Sequence, residues 1–161
     1  VLVFSRRFPL AMDGALYIHL ERSSVCKSHL PLTGTNMQKT LTFIAAALLG
    51  AEHVWQTDID PQALTASHDN AEKNNVATRI TLCANPDDAP QVDLIIANIL
   101  LEPLCALRPQ FEKHLHAASR LIFAGLLERQ EEHIHAAYAD AYHIRRADER
   151  DGWILLELCH L

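Results

Sequence analysis

Through the first 39 residues, apolar and polar positions follow no sustained period. Short apolar runs are broken by Pro9, Gly14, Ser23, Ser24, Pro31 and Gly34. One short strand is expected there, over 16–20. From Thr40 the pattern becomes regular. Leu41, Ile44, Ala45 and Leu48 recur at helical spacing, and Gly50 stands where a left-handed residue closes a helix. The run 53–57 then reads as a strand. Asp60 is placed to cap a second helix, with Pro61 at its first position and Leu64, Ala71 and Val76 on its inward face. Asn74 and Asn75 close that helix.

A strand is expected at 79–83, followed by a loop rich in Asp and Pro. Residues 92–98 form a nearly continuous apolar run, the pattern of a strand buried on both faces. Pro103 opens a third helix, with Leu104, Leu107, Phe111 and Leu115 facing inward. A strand at 120–126 and a helix at 128–142 follow. Two closing strands, 142–146 and 153–159, have only the turn 148–152 between them, which makes them an antiparallel hairpin. Strands alternating with helices before a terminal hairpin predict an α/β sandwich around a mostly parallel sheet.

Composition supports this and narrows it. At 161 residues, with 49% hydrophobic and 21% charged positions, the chain suits one globular core. The longest apolar run, 41–51, is about half the ~20 residues that a membrane helix needs. Arg6 and Arg7 interrupt the opening apolar stretch, so no secretory signal is expected. A formal net charge of −6 argues against a nucleic-acid partner, whose footprint is basic. Four cysteines without a Cys-x-x-Cys spacing read as free thiols in a reducing compartment, the cytoplasm. The chain opens on Val1 and is expected to be a fragment or to have a misread start.

In a doubly wound sheet, ligands sit beyond the carboxyl ends of the strands. Two polar residues end strands here: Asp58 and Asn98. An acid after the second strand can accept hydrogen bonds from both hydroxyls of a ribose; a turn or cap residue is the plainer account of it. For Asn98 the plainer account is a turn former at a strand end. Ten histidines raise the question of a metal. The close pairs His114/His116 and His133/His135 are expected on helices, where residues two apart diverge around the axis, so no metal site is expected.

The stretch 58–64 (DIDPQAL), then 69–75 (DNAEKNN), then 97–100 (ANIL), with AGLL around Gly125 and the closing WILLELC, resembles the catalytic domain of the ribosomal protein L-eleven methyltransferase family. The resemblance covers about 43–161. It implies a Rossmann-like class I methyltransferase sheet and S-adenosylmethionine as cofactor. It also implies methylation of amines on a large-subunit ribosomal protein. By the same resemblance Asp58 matches the acid that holds the cofactor ribose. Asn98 matches the catalytic asparagine between the cofactor's methionine end and the target amine.

The chain departs from the family at its start. The glycine-rich cofactor loop between first strand and first helix is expected just before Thr40, where 36–40 reads Asn-Met-Gln-Lys-Thr. No buried strand is evident ahead of it. Matching Thr33-Gly34-Thr35 to an upstream cofactor loop instead requires that strand to be deleted. The expectation is therefore a divergent segment, 1–39, and a methyltransferase-like domain, 40–161, with its first strand missing or replaced. A missing central strand would leave edges open to self-association. Two alternatives to ribosomal protein methylation stay open: an inactive remnant serving as a binding or oligomerising module, and a class I methyltransferase for another protein, an RNA or a small molecule.

Overall fold

The computed structural model describes residues 2–6, 37–58 and 60–161. The strand expected at 16–20 lies outside them, as do Cys26 and 33–35. The described elements are β1 (Leu2–Arg6), α1 (Met37–Leu48), β2 (His53–Thr57), α2 (Pro61–Lys73), β3 (Ile80–Cys83), β4 (Val92–Asn98), α3 (Leu101–Ala106), α4 (Arg108–His114), β5 (Leu115–Leu127), α5 (Glu131–Tyr138), β6 (Tyr142–Arg150) and β7 (Trp153–His160). They build a seven-stranded sheet of order β3-β2-β1-β4-β5-β7-β6.

The third position, between β2 and β4, is filled by β1, from the segment whose sequence shows no period. It pairs antiparallel with β2 on one side and β4 on the other. β2 pairs parallel with β3, and β4 with β5, while β7 lies antiparallel to both β5 and β6. Five strands therefore share one direction, and β1 and β7 oppose them. The first strand is replaced rather than missing, and β1 covers the two inner edges that its loss would open.

Local chemistry explains most boundaries. Asp60 caps α2 by accepting from the Gln62 N–H at 2.9 Å, with Pro61 at the first helical position. Gly50, at φ 107°, ends α1 in the left-handed region. The β6–β7 hairpin turns on Asp151 and Gly152, both at positive φ, between the paired Arg150 and Trp153. This turn is tighter than the one expected at 148–152, because β6 continues to Arg150.

Several other expectations are corrected. The helix expected to open at Pro103 begins at Leu101 and is two helices meeting at Leu107, and Leu115 and His116 already belong to β5. That strand starts five residues earlier than expected, where the Ser119 hydroxyl donates to the Val92 carbonyl at 2.6 Å. His114 and His116 therefore do not share a helix, and the His116 ring meets Asp93 at 2.8 Å. On α2 the buried face is Ala63, Ser67, Asn70 and Ala71, with Leu64 only half-buried. Ser67 turns inward because the Gln56 side-chain N–H donates to its hydroxyl at 2.8 Å. The last helix spans only Glu131–Tyr138, preceded by one 3-10 turn.

Two cores flank the sheet. On one face Phe43, Ile44 and a run of alanines from α1 pack on Val54, Leu94, Ile96, Ile122 and Ala124. On the other, Leu104, Phe111, Ile134 and Tyr138 cover Ile95, Ala97, Leu121, Phe123 and Leu126. The second core is aromatic: Phe123 meets Phe111 at 5.9 Å and Tyr138 edge-on at 5.2 Å. Along β5, Leu121 and Phe123 face the aromatic core and Ile122 and Ala124 the other, but Leu126 faces the aromatic core again. The alternation slips by one at Gly125, where the pairing with β7 is also interrupted. That is a β-bulge.

Candidate functional site

Because β1 runs backwards, the carboxyl edge of the sheet collects the ends of β2, β4 and β5 together with the start of β1. Leu2 is paired with Thr57 on one side and Ala97 on the other. Asp58 and Asn98 each follow one of those partners. They stand at the same height on either side of β1, two strand spacings or about 10 Å apart. The two residues singled out in the sequence are thus brought to one edge with a single strand between them.

Asp58 is buried, at 8% exposure. Its Oδ1 accepts from the Asp60 N–H at 3.1 Å, while its Oδ2 is buried without a hydrogen-bond partner. One oxygen is spent on the turn into α2 and the other is in reserve. Asn98 is half-buried and ends a strand whose four preceding residues are buried. It is level with Ala124 of β5. The next residue, Gly125, has φ +77°, and a Cβ there would stand 2.6 Å from Asn98 Oδ1 and 3.5 Å from the Ile99 carbonyl oxygen. Gly125 therefore stands against the Asn98 side chain, a neighbour that the sequence does not reveal. A lone glycine inside an apolar strand run was the available signal, since it marks a bulge or a close approach.

Other residues on this edge take ordinary places. Cys83 ends β3, and burial, with Asp88 nearby, pushes its thiol up. Burial raises the Cys105 thiol as well, so neither offers a thiolate at neutral pH. Trp55 packs toward the aromatic core and tilts against His53 at 4.4 Å. Glu102 is exposed in the first turn of α3. Among the described residues no cluster of three or more metal-ligating side chains occurs, and no helix is long and apolar enough to cross a membrane. The slot expected to hold the glycine-rich loop, 36–40, is helical from Met37 onward, within α1; Asn36 lies outside the described residues.

A doubly wound sheet closed by a reversed hairpin, with its polar strand ends gathered on one edge, is the architecture of Rossmann-like class I methyltransferases. A solved RNA methyltransferase from Salinibacter ruber, in complex with S-adenosyl-L-homocysteine, shares that fold with a TM-score of 0.52 at 16% identity, over 73% of this chain and 71% of its own. The profile of the ribosomal protein L11 methyltransferase family matches residues 40–160, and the chain belongs to that family. The ribosomal protein L11 methyltransferase of Dichelobacter nodosus is 66% identical over 118 residues, 73% of this chain. That match takes in 40% of the relative's length, so the chain spans well under half of the curated relatives it resembles. The crystal structure of a ribosomal protein L11 methylase from Lactobacillus delbrueckii subsp. bulgaricus superposes with a TM-score of 0.71 at 34% identity. It covers 76% of this chain and 65% of its own.

Proposed function

We propose that this chain binds S-adenosylmethionine across the start of β1 and methylates an amino group of a large-subunit ribosomal protein, in the cytoplasm. The observation that carries the reading is Asp58 Oδ2, buried and without a partner. An unsatisfied buried acceptor costs on the order of 1–3 kcal/mol, more when it is charged. A fold tolerates such a group where a ligand supplies the donor. Ribose hydroxyls are donors of the right kind, and the acid sits at a strand end where nucleotide-type ligands bind in such sheets.

When bound, S-adenosylmethionine supplies a methyl group on a sulfonium. Asp58 would hold its ribose and Asn98 its methionine end. The Asn98 carboxamide oxygen accepts from the N–H of the target amine and turns the nitrogen lone pair toward the methyl. In-line displacement needs alignment above all, and neither a nucleophilic side chain nor a pair of acids. Residues 40–161 make up the methyltransferase domain in this reading, and 1–39 are an added segment that lends it β1.

A second reading is favoured by one observation. Reversal of β1 places a strand start, instead of a strand-to-helix loop, between Asp58 and Asn98. A domain that kept its sheet without its chemistry would look like this. Calorimetric titration with S-adenosylmethionine and S-adenosylhomocysteine separates the two. Micromolar binding, weakened at least about tenfold in Asp58→Ala by the loss of charged hydrogen bonds, is the expected result. Absence of binding at millimolar ligand, with the fold confirmed by circular dichroism, would establish the second reading. An Asp58→Ala protein with unaltered affinity would remove Asp58 from the site.

A further inference from the structure

We infer that Gly125 is a positioning residue for Asn98: the β5 bulge exists to leave a Cβ-sized space that the Asn98 carboxamide fills. The inference rests on the role proposed for Asn98 and adds the element that aims it. Three observations meet at this position. Gly125 is in the left-handed region, at φ +77°, which side chains with a Cβ rarely adopt. The inside-outside alternation of β5 slips by one residue there, so the backbone departs from regular pleating within a buried strand. The space opened on the β4 side is taken by the Asn98 carboxamide, whose Oδ1 would lie 2.6 Å from a Cβ.

That distance is shorter than any real carbon–oxygen contact of this kind. The nearest backbone atom, the Ile99 carbonyl oxygen, is 3.5 Å away, an ordinary contact. The atom that must yield to a methyl group at 125 is therefore the carboxamide oxygen. An alanine there leaves room for the fold and turns Asn98 away from its aim. Displacing a group that aligns reacting atoms by about 1 Å can cost up to about a hundredfold in rate. The loss should fall on alignment more than on cofactor affinity, because Asp58 still offers its free oxygen to the ribose.

The molecule carries its own control. Gly152, in the β6–β7 turn, has φ +78°, matching Gly125, yet a Cβ there would meet nothing within 4 Å. Gly125→Ala and Gly152→Ala both place a Cβ at closely similar positive φ, and only the first adds the contact with Asn98. The expected result for Gly125→Ala is a kcat lowered at least about tenfold, with KM for the ribosomal protein and Kd for S-adenosylmethionine within about threefold of the parent. Gly152→Ala should keep the parent kcat. In the ligand-free protein, the Asn98 side-chain amide resonances should move in Gly125→Ala and stay in place in Gly152→Ala. This second measurement needs no activity, so it tests the contact even if the parent protein fails to bind cofactor and the proposed function falls. Unmoved Asn98 resonances, a parent-like kcat in Gly125→Ala, or equal losses in both variants would overturn the inference.

Discussion

The two halves of the site are built on opposite principles. On the β4 side, a glycine bulge makes room for the Asn98 carboxamide, and the aromatic core backs the strand that carries the bulge. On the β2 side, Asp58 is held through one oxygen by the Asp60 N–H and keeps the other without a partner. In the proposed function the Asn98 side is formed before any ligand arrives, and Asp58 completes its hydrogen bonding when one does. If the proposed roles hold, alignment depends on the Asn98 side and affinity on the Asp58 side, so damage to each should appear in different measurements.

The largest expected effect comes from undermining the Asn98 side. Phe123 is fully buried, level with Ala97 of β4 and two residues before the bulge, with Phe111 and Tyr138 around its ring. Phe123→Ala should cost about 3–5 kcal/mol of unfolding free energy, the range for emptying a well-packed aromatic site. Denaturant unfolding would measure this. At a temperature where the variant is still folded, its turnover should fall more than its cofactor affinity. A loss below about 1 kcal/mol would mean that the core beneath the bulge is not tightly packed.

The Asp58 side should respond in the reverse sense. Asp58→Asn keeps an oxygen for the Asp60 N–H and replaces the unpartnered carboxylate oxygen by a neutral group. The ligand-free protein should be at least as stable as the parent, since a buried charge has been removed. Cofactor affinity should fall about tenfold or more, because bonds to a charged acceptor are worth about 1.5–3 kcal/mol each. Thermal unfolding and calorimetry on the same preparations make the comparison. A clear loss of stability without loss of affinity would make Asp58 a structural turn residue and nothing more.

What the sequence made legible follows the range over which each feature is decided. The Asp60–Pro61 start of α2, the left-handed Gly50 and the doubly buried β4 are written in a few adjacent residues, and all three appear as expected. Asp58 and Asn98 were legible for the same reason, since each ends a local strand pattern. The reversal of β1 was not, because LVFSR is too short to show a period and its direction is set by partners about fifty and ninety residues away. The early start of β5 was hidden likewise: it depends on Ser119 reaching the Val92 carbonyl across the sheet. Gly125 was visible as a letter, but its meaning came from Asn98, a neighbour only in space.

The smallest expected effect lies at the far edge of the same strands and tests whether the unsatisfied group of the near edge is a local device. His53 opens β2 as Asp58 follows its end. Its Nε2 meets the Thr81 hydroxyl at 2.8 Å, whereas Asp58 Oδ2 has no partner. Burial lowers the His53 pKa from the ordinary imidazole value, and nearby Glu52 only partly opposes this. In the unfolded chain His53 takes up its proton at about pH 6.5, and in the folded protein only at lower pH. The native state therefore binds fewer protons in the window just below pH 6.5, and acidification through that window removes a little stability. An NMR titration should place the His53 midpoint below that of an exposed histidine in the same spectrum. His53→Gln, which cannot take up a proton, should flatten this part of the stability profile and leave cofactor affinity at the parent value. A His53→Gln protein that lost cofactor affinity would show that the two edges are coupled through β2 and that Asp58 is not an independent device.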